Sequence, residues 1–427
     1  MVSFLARPPS RRDTLRWGLL GLGASALGGS LAGCGGSSSS IRFLQNKPEV
    51  IEYFGGLVKD FNASQSEVRV NHDATTTALT PQFVRGTPPD VACYNYNLET
   101  ANFLSRGALT DLSDVPAAST IRDDVQDLVD QFAQFEGRTS VLPYSVTAAG
   151  CIYNIGLFEK HDVAVPKTWP ELIEACKTFQ KNDVLPLYTT FLDGWTLRQG
   201  IFDCVSGSNL DVTTFFERLK ELGGDAGPDA EVSFTKDFAD AARRMVELFA
   251  YSNRDAGSRN YNDGNAAFAR GDVAMLLQGP WAIGEISQAA PDLRLGTFAL
   301  PGSDDPGTTK VRVNLDLALW IPEQSGDAKG ARQMVSYLMQ PSVMNAYNAK
   351  NLATSPIKNP PQQRDPRLTG LDPYIRSGRF YQGAGTYISE SIPLPSYLQD
   401  LFLTKDVDGF LRRLDGAWAR RAQRAAA

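Results

Sequence analysis

Residues 41–70 read IRFLQNKPEVIEYFGGLVKDFNASQSEVRV, and this stretch decides the fold class. Ile41–Leu44 is predicted to be a short strand. Within Pro48–Ala63 the apolar residues recur at helical spacing, namely Val50, Phe54, Leu57, Val58 and Phe61. Val68–Val70 alternates between apolar and charged residues, which is typical of a second strand. A strand, an amphipathic helix and another strand in succession predict an α/β fold.

The same alternation continues along the chain. Pro89–Cys93 leads into another short apolar run. Thr168–Glu171 has the residues of a helix-capping box, with a proline in the first turn. Three later segments, at 241–249, 331–338 and 407–418, carry apolar residues on one helical face. The α/β prediction therefore extends over the whole chain after residue 40.

The composition limits the classes of domain and partner. The chain has 427 residues, 42% of them hydrophobic, so two or three domains are expected at about 150 residues each. Acidic residues number 48 and basic residues 42, which argues against a nucleic-acid partner, because nucleic acids need a clustered basic surface. The only two histidines, His72 and His161, leave little room for a metal site, so neither a metal nor another cofactor is predicted.

The first 40 residues predict export. Arg11 and Arg12 precede an apolar run over Trp17–Gly33, and the run ends in LAGC at Leu31–Cys34. Two glycines and four serines follow at once. This arrangement resembles a bacterial twin-arginine signal peptide that leads into a lipoprotein signal-peptidase box.

The resemblance implies a signal peptide at 1–33, a lipid on Cys34 and a flexible tether over 34–40. The chain would then be exported and anchored by its lipid to the outer face of the bacterial cell membrane. The alternative is an uncleaved membrane anchor, but 17 residues with several glycines are short for a spanning helix. The choice between the twin-arginine and the general secretory route stays open.

The sequence lacks the common catalytic and nucleotide-binding motifs. A G-x-S-x-G elbow, an H-E-x-x-H pair and a P-loop lysine are all absent. Two of the 48 acidic residues could still form a glycosidase-like pair. We therefore predict that the chain is not an enzyme, and we keep a secreted carbohydrate-active enzyme as an alternative.

Three groups of short motifs carry a family resemblance. They are FLQNKP at 43–48 with GTPPDV at 86–91, LPYS at 142–145 with PKTW at 166–169, and GPWA at 279–282 with LPG at 300–302. Together they resemble the family 1 extracellular solute-binding proteins, which are the sugar-binding proteins of ABC importers and include maltose-binding protein. Their order and spacing cover most of the chain after the N-terminal segment.

This resemblance implies a two-lobed, periplasmic-binding-protein-like fold that closes on its ligand. The implied N-terminal lobe is 41–142 with 316–358, and the implied C-terminal lobe is 143–315 with 359–427. Strands are expected to cross between the lobes more than once, near Leu142–Tyr144 and Val313–Asp316.

Candidate ligand contacts in the first lobe follow the predicted strands. A sugar is held by aromatic rings that stack on its faces and by amides or carboxylates at its hydroxyl rim. Open α/β sheets bind ligands at the carboxyl ends of their strands. The residues predicted there are Gln45, Asn46, Thr76, Tyr94 and Asn97.

Candidates elsewhere include the strongest single choice, Trp281. By resemblance its Gly-Pro-Trp turn faces the cleft, and the alternative is a buried core indole. Trp195 lies on a polar loop and is predicted to stack on the ligand, with Asp193 as a hydroxyl acceptor. Further candidates are Tyr144, which is either a contact or a hinge aromatic, Asp316 and Tyr381.

The predicted function is that of a monomeric substrate-binding lipoprotein of an ABC importer. It would capture a neutral mono- or oligosaccharide and deliver it to the transmembrane subunits of a permease, while Cys34 holds it to the membrane. A binding protein for a polyamine or a peptide is the alternative within the same class.

Overall fold

The structure is a computed structural model, and it describes residues 39–362 and 365–426. The predicted signal peptide and Cys34 lie outside the described residues. Of the predicted tether, Ser39 and Ser40 are described, and they begin the first strand. They do so because the parallel pairing with the next strand extends back to them, at Val68 and Arg69. Ser39 and Ser40 therefore belong to the sheet and not to a tether.

Nine strands lie within the described residues and form one mixed sheet. They are β1 (Ser39–Leu44), β2 (Val68–Asp73), β3 (Val91–Tyr94), β4 (Leu142–Asn154), β5 (Leu185–Tyr188), β6 (Val273–Gln278), β7 (Leu295–Phe298), β8 (Val311–Trp320) and β9 (Phe380–Gln382). The strands predicted at 41–44 and 68–70 are confirmed as parts of β1 and β2.

Strand β4 belongs to two sections of this sheet. Its residues 142–149 pair with β8, whereas residues 150–154 pair with β6 on one side and β7 on the other. The N-terminal sheet section has the order β2-β1-β3-β8-β4, with β9 also on β8. The C-terminal sheet section has the order β7-β4-β6-β5. One strand thus runs from the first section into the second.

Two further features mark this passage between the sections. The register of β4 against β8 shifts on both sides of Ser145, and such bulges bend a strand. Thr354 exchanges two backbone hydrogen bonds with Val146, at 3.1 and 2.8 Å. The chain then continues to Arg367, whose carbonyl accepts a hydrogen bond from Thr297 of β7. The sections are therefore joined by β4 and by the chain that follows Thr354.

Helices pack against both sheet sections. Within the described ranges the α-helices are α1 (Ile51–Ser64), α2 (Leu79–Val84), α3 (Leu98–Ser105), α4 (Asp123–Asp130), α5 (Ile155–Lys160), α6 (Trp169–Lys181), α7 (Gly194–Thr196), α8 (Asp203–Gly207), α9 (Val212–Glu221), α10 (Phe234–Asp237), α11 (Ala239–Phe249), α12 (Tyr261–Ala269), α13 (Pro280–Ala289), α14 (Ala328–Leu338), α15 (Pro341–Lys350), α16 (Asp372–Arg376), α17 (Leu394–Thr404) and α18 (Val407–Ala426). A π-helix at Leu197–Phe202 joins α7 to α8. In the part of the chain that is described, no helix has both the length and the apolar character needed to span a bilayer.

The helix starts follow from the sequence. The predicted helix at Pro48–Ala63 is observed as a short 3-10 turn followed by α1, whose buried side chains are Phe54, Val58 and Phe61. At α6, the Thr168 hydroxyl accepts from the Glu171 N–H at 3.4 Å. The Glu171 carboxylate accepts from the Lys167 N–H, one residue earlier than a capping box requires.

The core consists of one large apolar cluster and a smaller one. The large cluster includes Phe43, Tyr144 and Trp320 of the N-terminal sheet section and continues under the C-terminal helices. The smaller cluster packs against β6 and contains Phe268 and Ile283. The described cysteines are buried free thiols, namely Cys93, Cys151, Cys176 and Cys204.

Candidate functional site

A cavity of about 650 Å³ is lined by loops from both sheet sections. Its volume lies within the range of about 300–1,000 Å³ that is typical of small-molecule sites. Most of the lining comes from four segments: the chain after β3, the helical stretch from α7 to α8, strand β8, and β9 with the chain that follows it. The lining side chains include Asn95, Asn97, Glu99, Trp195, Arg198, Gln199, Asp203, Arg312, Asn314, Gln382 and Glu390.

The chain after β3 presents amides and a carboxylate that are held in place. Asn97 caps α3 by accepting from the Thr100 N–H at 3.0 Å. Asn95 donates from its side-chain amide to the main-chain carbonyl of Asp316 in β8. The Glu99 carboxylate accepts from the N–H and the hydroxyl of Thr80, at 3.0 and 2.6 Å. One side of the cavity is therefore polar and fixed.

The helical stretch from α7 to α8 forms the opposite side. Its central turn is the π-helix, a geometry that occurs frequently at functional sites. This turn packs directly on β6, since a Cβ atom on Gly200 would come within 2.9 Å of the Leu277 carbonyl oxygen. Close packing on a strand makes this wall rigid.

A buried ion pair lies at the floor of the cavity. Arg312 of β8 donates from Nη2 to Asp203 Oδ2 at 3.1 Å, and each side chain is only 1% exposed. The Gly385 N–H donates to the other oxygen of Asp203 at 2.6 Å. Burial raises the pKa of Asp203, although Arg312 and the Gly385 N–H act against this. Arg312 Nε and Nη1 have no hydrogen-bond partner within the described residues.

Arg198 hydrogen-bonds the segment after β9 to the helical stretch from α7 to α8, which we call the helical wall. Its guanidinium donates from Nε to the Gly385 carbonyl at 2.9 Å and from Nη2 to the Ile388 carbonyl at 2.6 Å. It also forms an ion pair with the exposed Glu390 carboxylate. The segment 385–390 therefore forms a wall whose position depends on Arg198.

Two aromatic rings lie at the outer end of the helical wall. The ring centroids of Trp195 and Tyr261 are 5.0 Å apart and their planes are inclined by 54°. The Asp193 carboxylate accepts from the Tyr261 N–H at 2.7 Å, which joins the start of α12 to the loop that carries Trp195. Burial raises the pKa of the Tyr261 phenol, so this ring stays neutral.

The charged side chains of the lining are engaged with protein groups. Asp203 pairs with Arg312 and Glu390 pairs with Arg198, while Glu99 accepts two hydrogen bonds from Thr80. Over residues 39–362 and 365–426, no group of three or more His, Cys, Asp or Glu side chains is arranged to hold a metal ion. The lining therefore combines hydrogen-bonding side chains with two ion pairs.

The residues predicted to follow the strands are found at the carboxyl ends of the observed strands. Gln45 and Asn46 follow β1, Thr76 follows β2, and Tyr94 ends β3. Asn46 donates to the carbonyl of Thr75 at 2.7 Å, and its side chain also contacts the Tyr94 phenol. Gln45 is buried, whereas Thr76 is exposed. The structure thus brings Asn46 and Tyr94 together, and their contact with a ligand stays a prediction.

Of the predicted contacts, Asn97 and Trp195 line the cavity. Trp281 is the second residue of α13 and is half-buried, with its indole N–H donating to Gln278 Oε1 at 2.9 Å. It packs against the smaller apolar cluster, as Tyr261 does, and does not line the cavity.

Three predicted contacts are bound to protein groups. Asp316 forms a buried ion pair with Lys47, whose Nζ is 2.8 Å from both carboxylate oxygens. Tyr144 is fully buried, and its ring packs on the rings of Phe54 and Tyr347. Tyr381 donates its hydroxyl hydrogen to the carbonyl oxygens of Asp203 and Cys204.

Sequence reasoning missed the polar residues of the helical wall and the floor. Arg198 and Gln199 follow Trp195 by three and four residues, so helical spacing from that tryptophan could have identified them. Asp203 and Arg312 are separated by 109 residues, and no local pattern connects them.

Comparison with known proteins identifies a matching family model and related sequences. The family model described as bacterial extracellular solute-binding protein matches residues 56–359. A multiple sugar-binding protein of Streptococcus mutans is 22% identical over 396 residues, which cover 89% of this chain and 91% of that protein.

Solved structures are similar over nearly the whole chain. The apo form of RafE from Streptococcus pneumoniae has a TM-score of 0.76 at 22% identity, covering 91% of this chain and 99% of that one. RafE in complex with raffinose has a TM-score of 0.77, also at 22% identity, covering 90% and 99%. The predicted two-lobed α/β fold is therefore confirmed. The family model spans most of the chain, and the chain belongs to the bacterial extracellular solute-binding proteins.

Proposed function

We propose that this protein binds a neutral sugar in the cavity between its two sheet sections. The observation that carries the proposal is the lining itself, in which a polar floor and polar walls lead out to the Trp195 indole, whose ring lies 5.0 Å from that of Tyr261. Sugars present hydroxyl rims and apolar C–H faces, and these match hydrogen-bonding groups and aromatic rings respectively.

The electrostatics of the lining favour a neutral solute over a polyamine. A polyamine would need carboxylates that are free to face its ammonium groups. Here Asp203 and Glu390 are paired with arginines, so among the carboxylates of the described lining only Glu99, which accepts two hydrogen bonds from Thr80, has no arginine partner. The similarity to a multiple sugar-binding protein and to a raffinose complex supports a carbohydrate. Because the family consists of solute-binding proteins, the chain is a binding protein and not an enzyme.

We extend the proposal to transport. After cleavage before Cys34, a lipid on that residue would hold the protein at the outer face of the cell membrane. Closure of the lobes 41–142 with 316–358 and 143–315 with 359–427 would retain the sugar until a permease accepts it. The bulged part of β4 beside Ser145 is where such bending is expected.

The test is a thermal-shift screen of the chain begun at Gly35 against mono- and oligosaccharides, polyamines and peptides. A ligand at a hundred times its Kd stabilises the folded state by about 2.7 kcal/mol, which gives a clear shift. We expect a shift with one sugar class and recovery of the sugar unchanged. A shift with polyamines or peptides alone would contradict the proposal, and so would the appearance of a hydrolysis product.

A further inference from the structure

Helix α18 concentrates positive charge on a chain that is acidic as a whole. The chain has a formal net charge of -6 at pH 7. Helix α18 contains five arginines and two aspartates, Asp408 and Asp415. Asp408 lies in the first turn, where a carboxylate complements the helix dipole. Asp415 is buried, and its carboxylate accepts from the N–H groups of Phe234 and Thr235, at 2.7 and 3.0 Å. Beyond its first turn, the charge that α18 presents to solvent is therefore positive.

Four of the five arginines share one side of the helix. Arg412, Arg413, Arg420 and Arg424 are separated by intervals that 3.6 residues per turn brings to the same side, and we call them the arginine row. The opposite side packs into the core through apolar side chains such as Leu411. At a rise of about 1.5 Å per residue the arginine row is about 18 Å long.

The arginine row is largely without carboxylate partners. Within residues 39–362 and 365–426, Arg413 is the one arginine of α18 that forms an ion pair, from Nη1 to Asp400 Oδ2 at 2.6 Å. Arg412, Arg420 and Arg424 are exposed. A cation in the last turn stabilises the end of a helix, but of these arginines only Arg424 lies there. The helix dipole therefore does not account for the row.

The fifth arginine adds positive charge at the flank of the row. Arg421 is half-buried and lies near Lys220 of α9. Burial lowers the pKa of the Lys220 ammonium, and the charge of Arg421 acts in the same direction, against that of Glu217. Positive charges thus accumulate around the second half of α18.

A groove of about 640 Å³ runs along the row, between α18 and the end of α17. Gly409 and Gly416 of α18 line it, and their lack of side chains leaves the groove open. Its carboxylates are already engaged, because Asp400 is paired with Arg413 and Asp406 accepts from the Gly409 N–H at 2.9 Å. An anionic group that enters the groove consequently meets guanidinium groups of the arginine row.

An exposed apolar side chain lies next to the groove. Leu403 of α17 is 74% exposed and directly precedes Thr404, which lines the groove. Lys405 follows, with its ammonium 4.3 Å from the centre of the Phe402 ring. Exposed leucine among cations is typical of a surface that lies on a membrane, where the apolar side chain enters between headgroups and the cations stay at the phosphates. This combination favours a lipid surface over a soluble polyanion.

We propose that the arginine row and Leu403 form a surface that binds an anionic phospholipid membrane. Guanidinium groups donate paired hydrogen bonds to phosphate oxygens, and the row is long enough to contact several headgroups. The lipid proposed on Cys34 would keep the body close to such a membrane, because Cys34 lies five residues before Ser39, a span of at most about 18 Å. The inference uses that anchor for proximity alone and does not depend on sugar binding.

The experiment is co-sedimentation of the chain begun at Gly35, which lacks Cys34 and any lipid, with phospholipid vesicles. One set of vesicles is phosphatidylcholine, and the other contains about 30% phosphatidylglycerol. At a salt concentration of about 0.05 M we expect binding to the phosphatidylglycerol vesicles and not to phosphatidylcholine alone. At about 0.5 M salt this binding should weaken about tenfold or more, because salt screens exposed charges. Such salt sensitivity also distinguishes the surface from the lipid anchor.

The test variant combines Arg412→Gln, Arg420→Gln and Arg424→Gln, and it should bind phosphatidylglycerol vesicles about tenfold more weakly or worse. Leu403→Gln should weaken binding about threefold and leave its salt dependence unchanged. The matched control makes the same change at three exposed arginines of the chain before β4, namely Arg69, Arg85 and Arg106. The control has the same net charge as the test variant and should bind within about twofold of wild type. All changed side chains are exposed, so thermal unfolding should show each variant to be folded.

Three results would overturn the membrane surface. Equal losses in the test variant and the control would show that net charge, and not the arginine row, governs binding. Equal binding to both kinds of vesicle would remove the requirement for anionic headgroups. Absence of wild-type binding to phosphatidylglycerol vesicles would also overturn it, while the thermal-shift screen with sugars and the membrane attachment of the lipidated chain would still test the proposed function separately.

Discussion

Removing the Asp203 carboxylate should destabilise this protein more than removing any surface acid. In Asp203→Ala, the guanidinium of Arg312 loses its one ion-pair partner while it stays about 1% exposed. An uncompensated buried charge costs about 3–5 kcal/mol. The Gly385 N–H also loses its acceptor, which adds to the loss. We therefore expect a decrease of at least about 3 kcal/mol in the free energy of unfolding, a large share of the about 5–15 kcal/mol typical of folded proteins.

Urea denaturation, monitored through tryptophan fluorescence, measures this decrease in the free energy of unfolding. The matched control is Glu390→Ala, which removes the partner of Arg198. The Glu390 side chain is 89% exposed, so its loss should cost less than about 1 kcal/mol. Arg312→Met combined with Asp203→Ala should recover part of the stability, because the double variant has no buried charge left unpaired.

The loss of stability depends on the Arg312 charge that stays unpaired in the core. If Asp203→Ala unfolded at the same urea concentration as Glu390→Ala, the buried pair would not stabilise the floor as argued. If the double variant were less stable than Asp203→Ala, the penalty would come from lost packing and not from the orphaned Arg312.

Three further expectations concern the ligand, the anchor and the response to pH. Trp281→Ala should change sugar affinity less than about twofold, because Trp281 packs against the smaller apolar cluster and does not line the cavity. A loss of more than tenfold, or about 1.4 kcal/mol, in calorimetry of the folded variant would return Trp281 to the site. Cys34→Ala should release the protein from membranes, and sedimentation with membranes at high salt would contradict the lipid anchor. Burial lowers the pKa of Lys47, but Asp316 and Glu49 more than offset this and raise it above 10.5. The contribution of Lys47 to stability is therefore fully present below pH 10.5 and lost as pH rises through the higher folded-state pKa, and Lys47→Met should flatten that alkaline decline.

Local patterns predicted the elements of the fold well. The spacing of Phe54, Val58 and Phe61 identified the buried face of α1, and Thr168 marked the start of α6. Both depend on residues within one or two turns of each other, which a sequence displays directly. Helical and strand periodicity therefore indicated the α/β class before any contact between distant segments was known.

The candidate site was less predictable because it depends on pairings between distant residues. Asp316 was predicted as a ligand contact, but its carboxylate pairs with Lys47, which lies 269 residues away in sequence. That pairing exists because β8 enters the N-terminal sheet section beside β3. Trp195 was identified because an indole on a polar loop is unusual, whereas Arg198 was missed, since an arginine on a helix is common.

The division of β4 between two sheet sections has a consequence for how the gene can be altered. The first part of the strand supplies a hydrogen-bonding edge to β8, and the last five residues supply edges to β6 and β7. Neither section is a contiguous stretch of chain, so no pair of cuts would excise one as an independent module. A recombinant that takes one half of the protein from a relative must therefore keep β4 compatible with β8 in one sheet section and with β6 and β7 in the other.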